Sequence, residues 1–215
     1  LGMTGKFFII KNKYKEKTSF YYKLNEKKDK KHNHVIFFFK NKIKLIYNDV
    51  RKFGFIKIEL TKKIRENKHI KLLGPEPLKD EFDYKYFKIS LKKRKRVIKD
   101  LLMDQKFVSG LGNIYVNEIL FFSGIHPFRK VQQLTNKEIK RIIQKTKIIL
   151  KKAIILGGSS IKNFSSTSGK SGTFQQFFAV YGKEGENCSN SDCNNKIKKT
   201  VLSNRSSFFC PKCQK

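Results

Sequence analysis

The sequence predicts a multidomain α+β protein, with a mostly β part, a helical part and a small metal-binding module in that order. Three observations predict it. Residues 5–60 hold short β-branched and aromatic runs separated by polar breaks. From residue 79 to residue 156, apolar residues recur three and four apart, the period of a helix. All four cysteines of the 215-residue chain lie in two close pairs within residues 188–215.

In the β part, "KFFIIK", "HVIFFFK", "KIKLIY" and "FGFIKIEL" read as strands. Between the first two, residues 23–34, "KLNEKKDKKHNH", read as a charged, mobile loop that projects from the β part. "LLGPEPL", residues 72–78, carries two prolines and marks a domain boundary. In the helical part, "LKKRKRVIKDLLMD" places Leu91, Val97, Ile98, Leu101 and Leu102 mainly along one helical side. "KEIKRIIQKTKIILKKAIIL" repeats apolar residues at helical spacing from Ile139 to Ile154. Thr135 and Glu138 form a capping-box pattern at its start, and the Gly157–Gly158 pair ends it. Residues 159–173 read as a Ser/Gly-rich loop, and "FFAVYG" as a short strand leading to the cysteines.

Apolar residues make up 39% of the chain and include twenty Phe, enough to bury a core. No uncharged apolar run approaches the roughly 18 residues of a membrane span, and the start lacks a signal-peptide pattern. The net charge is +32, from 49 basic and 17 acidic residues. A field of that sign attracts polyanions, with nucleic acid the first candidate. The richness in Asn, Ile and Phe fits AT-rich codon usage, and drift on solvated faces is the alternative explanation for much of the Lys excess. No basic helix with a clean apolar face argues for a membrane surface.

Cys188, Cys193, Cys210 and Cys213 follow the spacing C-x4-C-x16-C-x2-C. Two pairs separated by a β-hairpin's length of chain suit one tetrahedral Zn²⁺ held by four thiolates. The clustering points to a reducing compartment. Two disulfides or free thiols are the alternatives. Four protein ligands leave no open position, so the site reads as structural, and metal binding supplies the module's folding energy. Arg205 falls near the tip of the intervening hairpin, where it suits either phosphate contact or plain solvation. In "DQKFVSGLGNIYVNEIL", Gly110 and Gly112 precede a helical run, with Asn113 at its start. That turn suits either an anion at a helix N-terminus or a tight helix–helix turn with Asn113 as N-cap.

Together these segments resemble a known family. "LLMDQKFVSGLGNIYVNEILFFSGIHP" resembles the helix–two-turn–helix signature of formamidopyrimidine-DNA glycosylases. "GKSGTFQQFFAVYGKEGENC" and "RSSFFCPKCQK" resemble that family's C-terminal strand and zinc finger. "LGPEPL" and "DVRKFG" match its interdomain and mid-domain segments. The likeness runs from "LGMTG" to "CPKCQ" in the family's order. It implies a partial N-terminal β-sandwich over residues 1–73, a helix–two-turn–helix DNA-binding domain over 79–175 and a β-hairpin zinc finger over 176–215.

The resemblance also implies a function. The family excises oxidised purines, notably 8-oxoguanine and formamidopyrimidines, from duplex DNA and then cleaves the abasic strand. Met3, Arg51 and Phe53 match the trio that fills the gap left by a flipped base. The related endonuclease VIII branch fills that gap with different residues, so the trio favours the oxidised-purine branch. Asn113 and Arg205 match residues that contact DNA phosphates, and Tyr181 matches a Tyr beside the DNA backbone. Ser160, Ile161, Lys162, Asn163 and Phe164 begin the loop that closes over the flipped base. Duplex DNA with oxidised purines or abasic sites is the implied partner, for a cytoplasmic, nucleoid-associated monomer.

The family's nucleophile is an N-terminal proline whose amine attacks the sugar C1′ and forms a Schiff base, with a glutamate next to it. Its pattern places both, and an assisting strand lysine, upstream of "LGMTG". Leu1 and Gly2 do not match them. The chain is therefore expected to be a fragment, inactive alone, whose first residues are an internal strand and loop of the β-sandwich. A non-catalytic, zinc-containing DNA-binding remnant is the alternative. A ribosome-associated zinc ribbon is weaker, because it leaves Met3, Arg51 and Phe53 unexplained together. Two departures from the family pattern are the four-residue gap between Cys188 and Cys193, where two is common, and the 23–34 insertion.

Overall fold

The computed structural model describes residues 1, 4–11, 14–17, 30–91, 95–159 and 172–215, with the backbone alone for 14–17. Met3, the loop residues Ser160–Phe164 and most of the 23–34 insertion lie outside the described residues. The chain divides into two compact units, residues 1–60 with 153–176, and residues 61–152 with 177–215.

The first unit is built on an antiparallel sheet of β1 (Gly5–Lys11), β2 (Tyr14–Lys17), β3 (Asn33–Phe38) and β4 (Lys44–Asp49), in the order β2-β1-β4-β3. Phe8 opposes Ile46 in the β1–β4 register, and both are buried. The expected fourth strand, "FGFIKIEL", is not one: residues 52–60 carry no regular secondary structure. Both neighbours of β4 are already taken, by β1 and β3. The Gly54 N–H, moreover, donates to Asp49 Oδ2 at 2.9 Å and is lost to a ladder. Phe53, Phe55, Ile56, Ile58 and Leu60 are left exposed.

Asp49 organises the turn that follows β4. It is fully buried and accepts from the Thr4 hydroxyl, from Tyr47 Oη at 2.9 Å, and from the Arg51 and Gly54 N–H groups at 3.2 and 2.9 Å. Gly54 is required here, because a Cβ would meet the Tyr47 hydroxyl. Burial pushes the Asp49 carboxyl up, but the Thr4 hydroxyl and the other donors outweigh it and hold the group well below the carboxylate range. Burial, and then the bond to Asp49, pushes the Tyr47 phenol up to about 12. A depressed folded pKa contributes stability above the unfolded value near 3.9, lost as pH falls through the folded one. Asp49→Ala leaves several buried donors without an acceptor. It is expected to cost about 3 kcal/mol in urea unfolding, with early hydrogen exchange in β1 and β4. Unchanged exchange there would contradict this role.

The second unit holds α1 (Lys68–Lys71), α2 (Tyr84–Leu91), α3 (Ile98–Met103), α4 (Asn113–Phe122) and all but the last three residues of α5 (Asn136–Ile155). A two-stranded ribbon, β5 (Lys198–Leu202) and β6 (Arg205–Phe209), completes it. Phe82, Phe87 and Phe107 form a fully buried aromatic cluster, with ring centroids 5.0–6.2 Å apart. Ile98, Leu101 and Leu102 of α3, Val116, Ile119 and Leu120 of α4 and Ile139 and Ile142 of α5 supply the rest of the core.

The segment expected to be one helix over "LKKRKRVIKDLLMD" is interrupted. Val97 is extended and bridges Lys130, so α3 starts only at Ile98. The capping box forms as expected. The Thr135 N–H donates to Glu138 at 2.8 Å, and the Glu138 N–H donates to Thr135 Oγ1 at 3.3 Å. The helix ends in a Schellman motif, with Gly157 at φ +71° and the Gly158 N–H donating to the Ala153 carbonyl at 2.8 Å. Residues 72–78 are irregular, as the prolines dictate, yet they are docked. The Gly74 N–H donates to the Gln105 carbonyl at 2.8 Å, and the Ser109 N–H donates to the Pro75 carbonyl at 3.1 Å. No helix among the described residues is long and apolar enough to cross a membrane.

Candidate nucleic-acid interface and metal centre

Two tight turns join α3 to α4. Asp104 closes the first, accepting the Phe107 N–H through its carbonyl at 2.8 Å and the Lys106 N–H through its carboxylate at 3.0 Å. Gln105 staples the second. Its Oε1 accepts the Gly110 N–H at 2.7 Å and its Nε2 donates to the Leu111 carbonyl at 2.9 Å. Gly110 has φ +84°, a conformation open to glycine. A Cβ placed on Gly110 or Gly112 meets nothing within 4 Å, so neither glycine exists for internal packing. The open side of this turn is where a bulky partner's backbone can come close.

Asn113 is the first residue of α4; Gly112 takes the cap position. The Asn113 side chain reaches across to the ribbon, and its Nδ2 donates to the Ser206 carbonyl at 3.0 Å. The plain N-cap alternative is thereby set aside. Lys99 of α3 donates to the same carbonyl at 2.8 Å and to Ser207 Oγ at 2.6 Å. The Phe208 N–H donates to Asn117 Oδ1 at 2.8 Å, and Ser203 Oγ donates to Asp100 at 2.9 Å. The ribbon is clipped along its length to the two helices.

Arg205 is the first residue of β6, next to a two-residue turn at Ser203 and Asn204 whose φ values are +49° and +58°. Such left-handed pairs match the twist of a tight hairpin, and Arg205 beside the turn is exposed. Arg205 shares a recess of about 560 Å³ with Arg96, Lys99 and Lys106, and with Asp100 and Asp104. Four cations against two carboxylates leave it positive. Burial pushes the Lys99 ammonium down to about 8, Asp100 raises it, and the Arg205 charge lowers it further.

Tyr181 is half-buried, and its ring packs on Phe178 and Phe208, with centroids 5.7 and 5.1 Å away. The expected strand at "FFAVYG" is absent, for a physical reason. Glu118, fully buried in α4, accepts the N–H groups of Ala179, Val180 and Tyr181 at 2.7–3.0 Å, which curls the backbone around one carboxylate. Burial pushes the Glu118 pKa up, against these three bonds. In the other unit, the Arg51 guanidinium stacks on the Phe53 ring at 4.8 Å, and both are exposed. The structure thus joins Asn113 with Arg205 in one region and pairs Arg51 with Phe53 in another. Lys99, Asn117, Glu118 and Gln105 went unread in the sequence. Only Glu118, a lone acid inside the apolar run "IYVNEILFF", carried a signal there.

The four cysteines converge. Their sulfurs all lie within 4.8 Å of one another, with Cys188–Cys213 at 3.8 Å and Cys193–Cys210 at 3.6 Å. A tetrahedron with metal–sulfur bonds of about 2.3 Å has edges of about 3.8 Å, whereas a disulfide needs about 2.05 Å. The thiols are free and fit one zinc ion, and the disulfide alternative fails. Phe121, Val180, Ile197 and Phe208 pack around them. At the chain's end, Gln214 donates to the Ile125 carbonyl at 2.9 Å and ties the finger to the helices.

Comparison with known proteins agrees with this architecture. Three family models match: the formamidopyrimidine-DNA glycosylase N-terminal domain over residues 1–56, its H2TH domain over 73–165, and the zinc finger found in FPG and IleRS over 185–215. The formamidopyrimidine-DNA glycosylase of Listeria innocua is 44% identical over 86% of this chain and 67% of its own length. That of a Bradyrhizobium species is 39% identical over the whole chain and 75% of its own. Among solved structures, Lactococcus lactis Fpg in complex with abasic-site DNA superposes with a TM-score of 0.81 at 37% identity, covering all of this chain and 73% of that one. MutM in complex with carbocyclic 8-oxo-G DNA gives 0.79 at 36% identity, covering all of this chain and 72% of that one. With a β domain, a helix–two-turn–helix domain and a four-cysteine zinc finger in that order, the chain belongs to the formamidopyrimidine-DNA glycosylase family.

Proposed function

We propose that the chain grips damaged duplex DNA for the excision of oxidised purines, with strand cleavage following through a Schiff base. The carrying observation is the pair of hydrogen bonds from Asn113 and Lys99 to the Ser206 carbonyl, which holds Arg205 beside the helix–two-turn–helix turn. Two phosphate-seeking elements so joined bind one backbone from a single rigid surface. Tyr181 borders it. Arg51 and Phe53, with Met3, fill the space of the flipped base, the cation toward the orphan partner base and the apolar groups in the stack. The 160–164 loop closes over the lesion.

The imine chemistry is assigned to none of the four prolines here, Pro75, Pro77, Pro127 and Pro211. Each is internal, so its nitrogen is an amide without a free lone pair. Borohydride trapping of the full-length protein on an 8-oxoguanine duplex tests the reading. A covalent protein–DNA adduct is expected. Lesion binding with no adduct would support a non-catalytic DNA-binding protein instead.

Two further results are expected of the DNA grip. Gly112→Ser keeps a favoured cap residue and adds a Cβ that meets nothing within 4 Å, so it leaves the melting temperature nearly unchanged, yet it weakens duplex binding severalfold by obstructing the close approach. A binding constant equal to the parent's would place the DNA elsewhere. Affinity also falls as pH rises from 7 to 9, because a bound phosphate favours the charged form of Lys99, whose pKa is about 8. Stability moves the other way. Between about 8 and the ordinary value near 10.4 the unfolded chain holds the extra proton, so the folded state gains with pH. Lys99→Met is expected to remove both trends.

A further inference from the structure

The widened loop between Cys188 and Cys193 does more than lengthen the finger. Its second residue, Asn190, touches three of the four cysteines. The Asn190 N–H donates to the Cys188 thiol, its carbonyl accepts the Cys193 N–H at 3.1 Å, and its Nδ2 donates to Cys213 Sγ at 3.2 Å. Cys213 belongs to the opposite pair, and it alone of the four is not fully buried. A recess of about 360 Å³ opens beside it, lined by Asn190, Arg141 and Lys145 and by no carboxylate. Four thiolates around one Zn²⁺ carry a formal charge of −2. Donors and cations are therefore the groups that stabilise the ligands in their bound, deprotonated form.

We propose that Asn190 is a positioning residue for the zinc centre, bracing the half-buried ligand Cys213 from the opposite loop, with Arg141 and Lys145 compensating the charge of the thiolates. The four-residue spacer thus carries the residue that braces the most accessible ligand.

The test is zinc transfer from the zinc-loaded chain to 4-(2-pyridylazo)resorcinol. Outer-shell substitutions change metal affinity by about 10–100-fold, so Asn190→Ala is expected to release zinc about tenfold faster. Asn190→Asp releases it faster still, because it sets a carboxylate against the thiolates. Asn194→Ala, beside Cys193 but outside the brace, keeps the parent rate. With Co²⁺ in place of Zn²⁺, the sulfur-to-metal charge-transfer band of Asn190→Ala shifts while the far-UV spectrum does not. Release by Asn190→Ala within twofold of the parent, or slower release by Asn190→Asp than by Asn190→Ala, overturns the proposal.

Discussion

Protein stripped of zinc by a chelator is expected to lose the fold of residues 185–215 and, with it, most of its affinity for DNA. The apolar cluster around the cysteines is small, consisting of Phe121, Val180, Ile197 and Phe208 with a few neighbours. It cannot offset the chain entropy of the finger alone. Zinc bound by four thiolates supplies about 10–16 kcal/mol in small fingers, so this module folds only with its metal. The consequence reaches the DNA grip, because the turn that aims Arg205 belongs to the same hairpin. Loss of the proposed guanidinium–phosphate contact costs about 1.5–3 kcal/mol, a roughly ten- to hundredfold weaker complex. Limited proteolysis with and without chelator, alongside anisotropy on a labelled duplex, checks both halves. A finger that resists proteolysis without metal would contradict the account.

Glu118→Ala is expected to be the most destabilising single substitution in the helical unit. The carboxylate accepts three successive N–H groups at 2.7–3.0 Å, and no water reaches it. Its removal leaves three donors unsatisfied, two of them fully buried, each worth about 1–3 kcal/mol, for a loss of about 4 kcal/mol or more. Glu118→Gln keeps the shape and one acceptor oxygen but turns an amide N–H toward a donor, so an intermediate loss is expected. Tyr181 moves with this backbone, so its packing on Phe208 is lost too. Urea unfolding curves for the two variants measure the effect. A shift below 1 kcal/mol for Glu118→Ala would show that the 179–181 curl is held by something else.

Much of this was legible because periodicity and spacing are local. The apolar repeat of 136–155, its Thr135–Glu138 cap and its diglycine stop are written within one stretch of chain, and each forms as read. The cysteine spacing alone specifies a tetrahedral site, and the four sulfurs converge as it requires. What was not legible depends on distant partners. "FFAVYG" has strand composition, but Glu118, some sixty residues earlier, takes its N–H groups. "FGFIKIEL" alternates like a strand, but Asp49 takes the Gly54 N–H and β4 already has both neighbours. Lys99 looked like any of 49 basic residues until α3 turned it inward onto the ribbon. Asn190 sat in a spacer that read only as a longer loop.

Arg205 and the Gly110–Asn113 turn are proposed to form one phosphate-gripping surface. Equilibrium binding to a duplex carrying a tetrahydrofuran abasic analogue, measured from 50 to 300 mM salt, tests it most directly. Each phosphate contact contributes a slope of about −0.9 in log K against log salt. The parent chain is expected to show a steep negative slope. Arg205→Ala should make it shallower by about one unit, and Asn113→Ala should weaken binding by releasing the hairpin that aims Arg205. An affinity indifferent to salt, or an Arg205→Ala slope identical to the parent's, would contradict the claim.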